Sequence, residues 1–180
     1  MAQRNAAAHS LTACALMCAL TAVCAQIQLP LPGVPVSLAL FAVHLGAMLL
    51  RPRQALWAVC AYLFLGLCGV PVFAGFASGP AALLGPTGGF LLSYPLCALA
   101  TSLLIRRFGR SFARLCLCAF AGTTLCMLAG ILHFMLVTGT QLSLPFLAYW
   151  LLYLPGDLAK IALAALLARR LCAPLRALGL

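Results

Sequence analysis

Acidic side chains are almost absent from this sequence. Asp157 is the only one among 180 residues, and Lys160, three positions later, is the only lysine. The remaining fixed positive charges are all arginines. One carboxylate cannot supply the paired acids of a hydrolase or the oxygen-rich ligand set of a calcium-type site. The lack of a second acid therefore argues against both kinds of site.

Charge of either sign is scarce. Charged residues make up 7% of the chain and hydrophobic residues 66%, with a mean hydropathy of +1.16. A soluble domain carries roughly 25% charged residues to coat its surface. The composition therefore predicts an integral membrane protein whose partner is the lipid bilayer. The net charge of +10 does not indicate a nucleic-acid partner, because the arginines are neither interleaved with aromatics nor spread over a polar face.

Motifs for metals, cofactors and catalysis are also missing. The ten cysteines contain no Cys-x-x-Cys pair and no histidine cluster accompanies them, so we interpret them as small hydrophobic residues of membrane helices. His44 and His133 stand alone in apolar segments and are interpreted as core or interface residues. No Walker motif or nucleophile–base pattern is present. The sequence predicts no cofactor, no metal site and no enzyme.

The arginines divide the chain into three long uncharged stretches. They form four groups, at 4, 51–53, 106–114 and 169–176. Each intervening stretch is about twice the ~20 residues that one membrane helix needs. Turn-forming residues break each stretch near its middle, at 30–35, 69–89 and 138–145. This pattern predicts three helical hairpins.

The fold class is therefore all-α, with residues 1–180 forming a single transmembrane domain of six helices. With both termini cytoplasmic, every arginine lies on the cytoplasmic side, as the positive-inside rule requires. Residues 8–26 also have the composition of a signal peptide, which a first span shares. Spans two and three are short, which predicts tilt or loops that dip into the membrane. The predicted spans are 8–26, 36–50, 54–69, 89–107, 113–137 and 146–170.

The second outside loop, 69–89, is rich in glycine and about twenty residues long. Loops of this length that lack secondary structure are usually lids or binding loops. Glycine allows close backbone approach to a ligand, and irregular backbone at membrane depth is tolerated where it lines a cavity. A simple turn into the fourth span is the alternative, and composition alone does not separate the two.

Four segments of the chain resemble the signature segments of the BioY family. They are Pro30-Leu-Pro-Gly-Val-Pro-Val-Ser37, Gly69-Val-Pro-Val-Phe-Ala-Gly75, Leu84-Gly-Pro-Thr-Gly-Gly-Phe90 and Pro155-Gly-Asp-Leu-Ala-Lys160. The resemblance keeps order and spacing from the first span to the sixth. Phe90 stands where a tyrosine is common in the family, which affects the loop in detail. BioY proteins are the biotin-binding substrate components (S-components) of energy-coupling factor transporters.

The resemblance implies the six-helix S-component fold, a biotin pocket at the outer face, and high-affinity biotin capture for an ATP-driven importer. It implies a separate membrane coupling protein and two ATP-binding cassette ATPases as partners, in the plasma membrane of a bacterium. An alanine motif on the first helix, here Ala15 and Ala19, docks on the coupling protein in that family. The predicted biotin-binding residues are Asp157, Lys160, Phe73, Gly75, Ser78, Gly79, Gly85, Thr87, Gly88, Gly89 and Tyr94, with Phe76 and Trp150 as further candidate apolar walls.

The chemistry of biotin suits the pair in the sixth span. Asp157 can accept the ureido N–H groups, because charge-assisted bonds are the stronger kind. Lys160 can meet the ligand carboxylate, support Asp157 or donate to the ureido carbonyl. Pro155 and Gly156 predict an open backbone just before the pair, with Asp157 in the first turn of a helix, where the helix dipole favours it.

Three alternatives remain open from the residues alone. Side chains at i and i+3 on a helix lie close together, so the pair can instead be a self-satisfied structural ion pair. Asp157 can also be the proton site of a self-sufficient proton-coupled carrier. The third alternative is an assembly protein without a small ligand.

Overall fold

The computed structural model describes residues 2–29, 36–139 and 144–177, and side chains within 8–28, 37–139 and 153–172. Nearly all of this chain is helical. The helices are α1 (Ala2–Gln26), α2 (Ala39–Leu49), α3 (Pro52–Leu67), α4 (Pro80–Leu84), α5 (Gly88–Phe108), α6 (Phe112–Thr138) and α7 (Leu144–Ala177). A 3-10 turn spans Ala74–Phe76, and a two-residue antiparallel ladder joins β1 (Gln28–Leu29) to β2 (Val36–Ser37).

Each of the six predicted spans coincides with one of the long helices. Within the described residues, three helical segments are long and apolar enough to cross a membrane: Ala8–Gln26, Gly88–Phe108 and Phe112–Thr138. Helix α2 is apolar but shorter, with 11 residues, and α3 has 16 residues. The first predicted break, 30–35, and most of the third, at 140–143, lie outside the described residues.

Helix α2 lies at the centre of the helix bundle. Every residue from Ala39 to Met48 is buried. A helix that is hydrophobic on all sides is stable where other helices surround it. Helices α1, α3, α5 and α7 all pack against α2. Tilt, or a loop that dips into the membrane at this span, stays a prediction.

The most extensive helix pair, α5 with α6, is held at close range by small residues. A Cβ atom at Gly122 would collide with Thr101 Oγ1, and one at Gly130 would collide with the Phe90 ring. Small residues at membrane-helix interfaces let two backbones approach closely. The glycines of α6 therefore set the separation at which α5 presents its side chains to the interior.

Helix α7 corrects one prediction. The backbone is helical without interruption from Leu144 to Ala177, so Asp157 lies well inside the helix and not in its first turn. Pro155 removes one backbone hydrogen bond but does not end the helix, as is common for proline in membrane helices. The helix dipole therefore gives no support to Asp157, because its effect fades beyond the first turn.

The loop between α3 and α5 also differs from a structureless lid. It contains the 3-10 turn at Ala74–Phe76 and the five-residue helix α4. Gly75 and Gly79 have φ of 71° and 80°, in the left-handed region that favours glycine. These two residues allow the chain to reverse direction twice over a short distance. The loop is thus a folded part of the molecule.

Two hydrophobic cores fill the interior. The loop-side core contains Cys18, Ala25, Ala39, Leu40, Val43, Ala47, Ala55, Val59, Tyr62, Phe73, Leu83, Tyr94, Cys97, Ala98 and Cys126. The arginine-side core contains Cys24, Phe41, Ala42, Leu45, Met48, Ile105, Leu115, Cys118, Ala119, Ile161, Ala164, Ala165 and Ala168. The first core lies below the α3–α5 loop, and the second adjoins the arginines at the ends of α5 and α7.

Candidate functional site

The two unusual charges of the sequence form one buried ion pair. Lys160 Nζ lies 3.1 Å from Asp157 Oδ1, within hydrogen-bond distance. Asp157 is 4% exposed and Lys160 8% exposed. Withdrawing two such charges from water costs several kcal/mol per ion, on the order of what their mutual attraction returns. The i, i+3 spacing allows this pairing, which by itself does not separate a ligand site from a structural ion pair.

The ion pair lies where the two cores meet. Asp157 lies near Cys97 and Cys126, which belong to the loop-side core. Lys160 lies near His44 and precedes Ile161 of the arginine-side core. Helices α2, α5, α6 and α7 therefore all contribute polar groups near the pair.

Aromatic side chains line the side of this cluster that faces the loop. Phe73 is buried and its ring meets the Tyr62 ring edge-on, with centroids 5.5 Å apart and planes at 76°. Phe73 can approach α3 because Gly66 has no side chain, and a Cβ there would collide with the ring. Tyr94 is buried, with Tyr62 and Ser37 among its neighbours. Phe73, Tyr62 and Tyr94 thus form an apolar wall within the loop-side core.

The loop is attached to the end of α1 by one side chain. Gln26 Nε2 donates to the carbonyl oxygens of Val72 and Phe73, at 3.2 and 3.1 Å. Gln26 Oε1 accepts from the Phe76 N–H at 3.0 Å. The Gly79 N–H adds a bond of 2.7 Å to the Gly66 carbonyl. These bonds hold Phe73 in the interior.

The structure separates the predicted site residues into three groups. Asp157, Lys160, Phe73 and Tyr94 face the interior together. Gly75, Ser78, Gly79, Gly85 and Thr87 lie in the loop, with Gly75 and Thr87 exposed. Gly88 and Gly89 are buried, and both fit helix packing: a Cβ would strike the Leu83 carbonyl at Gly88 and His133 at Gly89. Their contact with a ligand stays a prediction.

Two candidate wall residues and the docking motif have other positions. Phe76 is 70% exposed, so its ring points away from the interior in this conformation. The side chain of Trp150 lies outside the described residues. Ala15 and Ala19 are exposed on α1, on a surface open to a partner. Docking there stays a prediction.

Several interior polar groups were not predicted as site residues. His44 Nε2 lies 2.8 Å from Thr123 Oγ1, and Ser93 Oγ lies 2.9 Å from Cys126 Sγ. The Tyr62 hydroxyl is buried without a hydrogen-bond partner in the described structure. Each is a polar residue within an apolar helical segment, which sequence patterns do not distinguish from core.

The cysteines conform to the interpretation as hydrophobic residues. All ten are free thiols, and five of them are buried. Among the described residues, no three His, Cys, Asp or Glu side chains come together in a way that would hold a metal ion. His133 Nε2 lies 3.2 Å from the Gly85 carbonyl, where it joins α6 to the loop. His44 and His133 thus each make one hydrogen bond in the described part of the chain.

The arrangement of helices is that of an S-component. The chain superposes on the crystal structure at 2.1 Å of the S-component for biotin from an ECF-type ABC transporter, with a TM-score of 0.85. The superposition covers 93% of this chain and 92% of that chain, at 24% sequence identity. Together with the apolar helices, this fold identifies a multi-pass membrane protein.

The chain belongs to the BioY family, whose model matches residues 1–177. It is 34% identical over 157 residues to the probable biotin transporter BioY of Pyrococcus horikoshii, covering 87% of this chain and 92% of that protein. The biotin transporter BioY of Thermotoga maritima is 36% identical, with 85% and 89% covered. The biotin transporter BioY2 of Lactococcus lactis is 38% identical over 91 residues, about half of each chain.

Proposed function

We propose that the protein captures biotin with high affinity at the outer face of the membrane and serves as the S-component of an ATP-driven importer. The observation that carries the proposal is the buried Asp157–Lys160 pair, the only acid and the only lysine of a chain in the BioY family. Ionisable groups inside a membrane protein are costly and mark ligand or ion pathways. The relatives are named as biotin transporters, which supports biotin as the ligand.

The donor and acceptor groups of the pair match the head of biotin. The ureido ring has two N–H donors and one carbonyl acceptor. Asp157 has acceptor sites on both oxygens and Oδ1 is the one that faces Lys160, so the carboxylate can accept ureido N–H groups as well. The Lys160 ammonium has three donors and can serve the ureido carbonyl or the ligand carboxylate. Hydrogen bonds from this ureido group would replace the hydrogen bonds to water that Asp157 and Lys160 lose on burial.

The aromatic wall suits the remainder of the ligand. Phe73, Tyr62 and Tyr94 present apolar ring surface beside the ion pair, against which a thiophane ring can pack. Entry from outside requires the loop that carries Phe73 to move. Such a movement would break the hydrogen bonds to Gln26 and Gly66 and withdraw the Phe73 ring from the core.

Six membrane spans with both termini cytoplasmic complete the proposal. All described charges other than the ion pair are exposed arginines, located before α3, around the α5–α6 turn and late in α7. This one-sided arrangement supports a cytoplasmic position for that end of the molecule, in the plasma membrane of a bacterium. The S-component fold supports a separate membrane coupling protein and two ATPases as partners, so that ATP hydrolysis takes place outside this chain.

The burial of Asp157 against Lys160 argues against the proton-coupled carrier. A proton acceptor in such a carrier must gain and lose its charge during each cycle. Neutralising Asp157 would leave the Lys160 ammonium buried and unpaired, which is costly.

Titration of biotin into the purified protein tests the proposal. We expect saturable binding with one biotin per chain, measured by calorimetry, and no binding of an unrelated vitamin of similar size. The absence of saturable binding at micromolar biotin would contradict the assignment. The carrier is tested separately in vesicles that contain this chain alone: biotin uptake driven by a proton gradient, without ATPase partners, would favour it.

A further inference from the structure

His44 is the most completely enclosed polar side chain near the ion pair. It lies in the middle of α2 and is 0% exposed. The imidazole interrupts a helix that is otherwise built from apolar side chains and one glycine. An imidazole needs hydrogen-bond partners when buried, because an unsatisfied group costs about 1–3 kcal/mol in transfer from water. Both ring nitrogens of His44 therefore need hydrogen-bond partners.

The contact with Thr123 determines the tautomer of His44. Thr123 Oγ1 donates its single hydrogen to the Ala119 carbonyl at 3.1 Å, as serine and threonine do in helix interiors. The hydroxyl can then only accept from His44 Nε2, which lies 2.8 Å away. His44 Nε2 therefore carries the hydrogen, and in a neutral ring Nδ1 is left with a bare lone pair.

That lone pair has no partner. Nδ1 is buried and makes no hydrogen bond in the described part of the structure. The charged side chain near the ring is Lys160, which belongs to α7 and precedes Ile161. Helix α7 packs on α2, and Phe41, Leu45, Ile161 and Ala164 of the two helices share the arginine-side core. His44 Nδ1 is thus an unused acceptor on α2, the helix that packs against α7 and its Lys160.

The Lys160 ammonium has capacity for a second acceptor. It carries three donors, and Asp157 Oδ1 receives one of them at 3.1 Å. Once ligand N–H groups occupy the Asp157 carboxylate, as the proposed function requires, the ammonium loses part of its only described counter-charge. A neutral imidazole nitrogen is a suitable replacement because it adds an acceptor without adding a charge.

We propose that His44 Nδ1 is the second acceptor for Lys160, used when a ligand engages Asp157, which makes His44 a positioning residue of the binding site. This inference rests on the proposed function, because binding of the ligand to Asp157 is the event that turns Lys160 toward His44. In the ligand-free protein Lys160 is held by Asp157. In the complex it is shared between the ligand and His44.

Nitrogen NMR of the purified protein with isotope-labelled histidine tests the inference directly. The chain has three histidines, and the His44 signals are assigned by their loss in His44→Phe. We expect Nδ1 of His44 without a hydrogen in the free protein, and a shift of its resonance toward the hydrogen-bonded position on addition of biotin, with Nε2 remaining protonated. A protonated Nδ1 in the free protein would overturn the tautomer, and an unmoved resonance at saturating biotin would overturn the switch.

A ligand-independent arm separates this inference from the proposed function. Asp157→Asn removes the carboxylate charge that holds Lys160, so the Nδ1 resonance should move in the same direction without biotin. If biotin does not bind the wild type, the proposed function fails while this arm still reports on His44. If the variant does not fold, the biotin-dependent shift in the wild type alone decides the question.

Affinity provides an independent measure. Loss of one hydrogen bond to a charged group corresponds to about a ten-fold or greater change in an equilibrium constant. We expect His44→Phe to weaken biotin binding by about that factor. The matched control is Ser93→Ala, which removes a buried hydroxyl that bonds Cys126 and the Phe90 carbonyl, with an expected change well below ten-fold. Equal losses of biotin affinity in the two variants would show that His44 serves only in packing.

Discussion

At the scale of single residues, the free-energy cost of burying charge falls on one ion pair. Asp157 and Lys160 are both buried and 3.1 Å apart, so each keeps the other charged inside an apolar helix bundle. The i, i+3 spacing predicted this contact, because helix geometry alone brings such side chains together. The neighbours of the pair could not be predicted, since His44 and Tyr62 become its surroundings only when α2 and α3 pack. Sequence spacing carries no information about that packing.

Breaking the ion pair should destabilise the protein more than deleting it. Asp157→Leu or Lys160→Met alone leaves a buried charge without its partner, which costs about 3–5 kcal/mol. The double variant Asp157→Leu/Lys160→Met removes both charges and should recover most of that loss. Thermal unfolding in detergent measures the three variants. If the double variant is no more stable than the single variants, Asp157 and Lys160 do not stabilise each other's charge.

Two buried tyrosines should respond in opposite ways to loss of the hydroxyl. Tyr62 has an unpartnered hydroxyl in the described structure, and Tyr62→Phe should raise the free energy of unfolding by about 1 kcal/mol, because the desolvation cost disappears. The Tyr94 hydroxyl has Ser37 as a polar neighbour, so Tyr94→Phe should lower the free energy of unfolding by about the same amount. Unfolding of both variants in one detergent gives the comparison. A loss of stability in Tyr62→Phe would reveal a partner for its hydroxyl.

At the scale of helices and loops, the positions of the helices along the chain were predictable, and the hydrogen bonds between the loop and the helices were not. Hydrophobic length and arginine spacing placed all six long helices close to their observed bounds. They did not indicate that α7 runs through Pro155, because neighbouring helices compensate for the proline in ways a sequence does not display. Gln26 is a similar case. Its bonds to the α3–α5 loop join residues about fifty positions apart, and no local pattern marks them.

Gln26→Ala should loosen the loop without unfolding the bundle. Three hydrogen bonds to the loop are lost, including the one that protects the Phe76 N–H. We expect faster amide hydrogen exchange in residues 72–77, and faster dissociation of biotin if the loop covers the ligand. The matched control is Gln54→Ala, since Gln54 bonds Ser10 and the Arg51 N–H near the opposite end of α3. Equal exchange in the two variants would contradict the role of Gln26.

At the scale of the whole molecule, composition was the strongest predictor. The scarcity of charge indicated a membrane protein, and the fold and family agree with that conclusion. The proposed orientation of the molecule rests on where the arginines lie. Two cysteines offer a test because they lie toward opposite ends: Cys68 is exposed where α3 meets the loop, and Cys172 accepts a hydrogen bond from Arg110 at 3.0 Å.

Labelling of intact cells should distinguish the two ends. A membrane-impermeant maleimide added from outside should modify Cys68, and the label should disappear in Cys68→Ser. Cys172 should react only after the membrane is opened, and that label should disappear in Cys172→Ser. Modification of Cys172 in intact cells, with Cys68 protected, would reverse the proposed orientation.

The measurement that bears most directly on the account is the affinity for biotin of the wild type and of Asp157→Asn, compared by calorimetry under conditions in which both are folded. The asparagine keeps the shape of the side chain but lacks the charge that strengthens its bonds to ureido N–H groups. The account predicts tight binding by the wild type and a loss of about ten-fold to a hundred-fold in the variant. An unchanged affinity would contradict it and return the ion pair to a structural role.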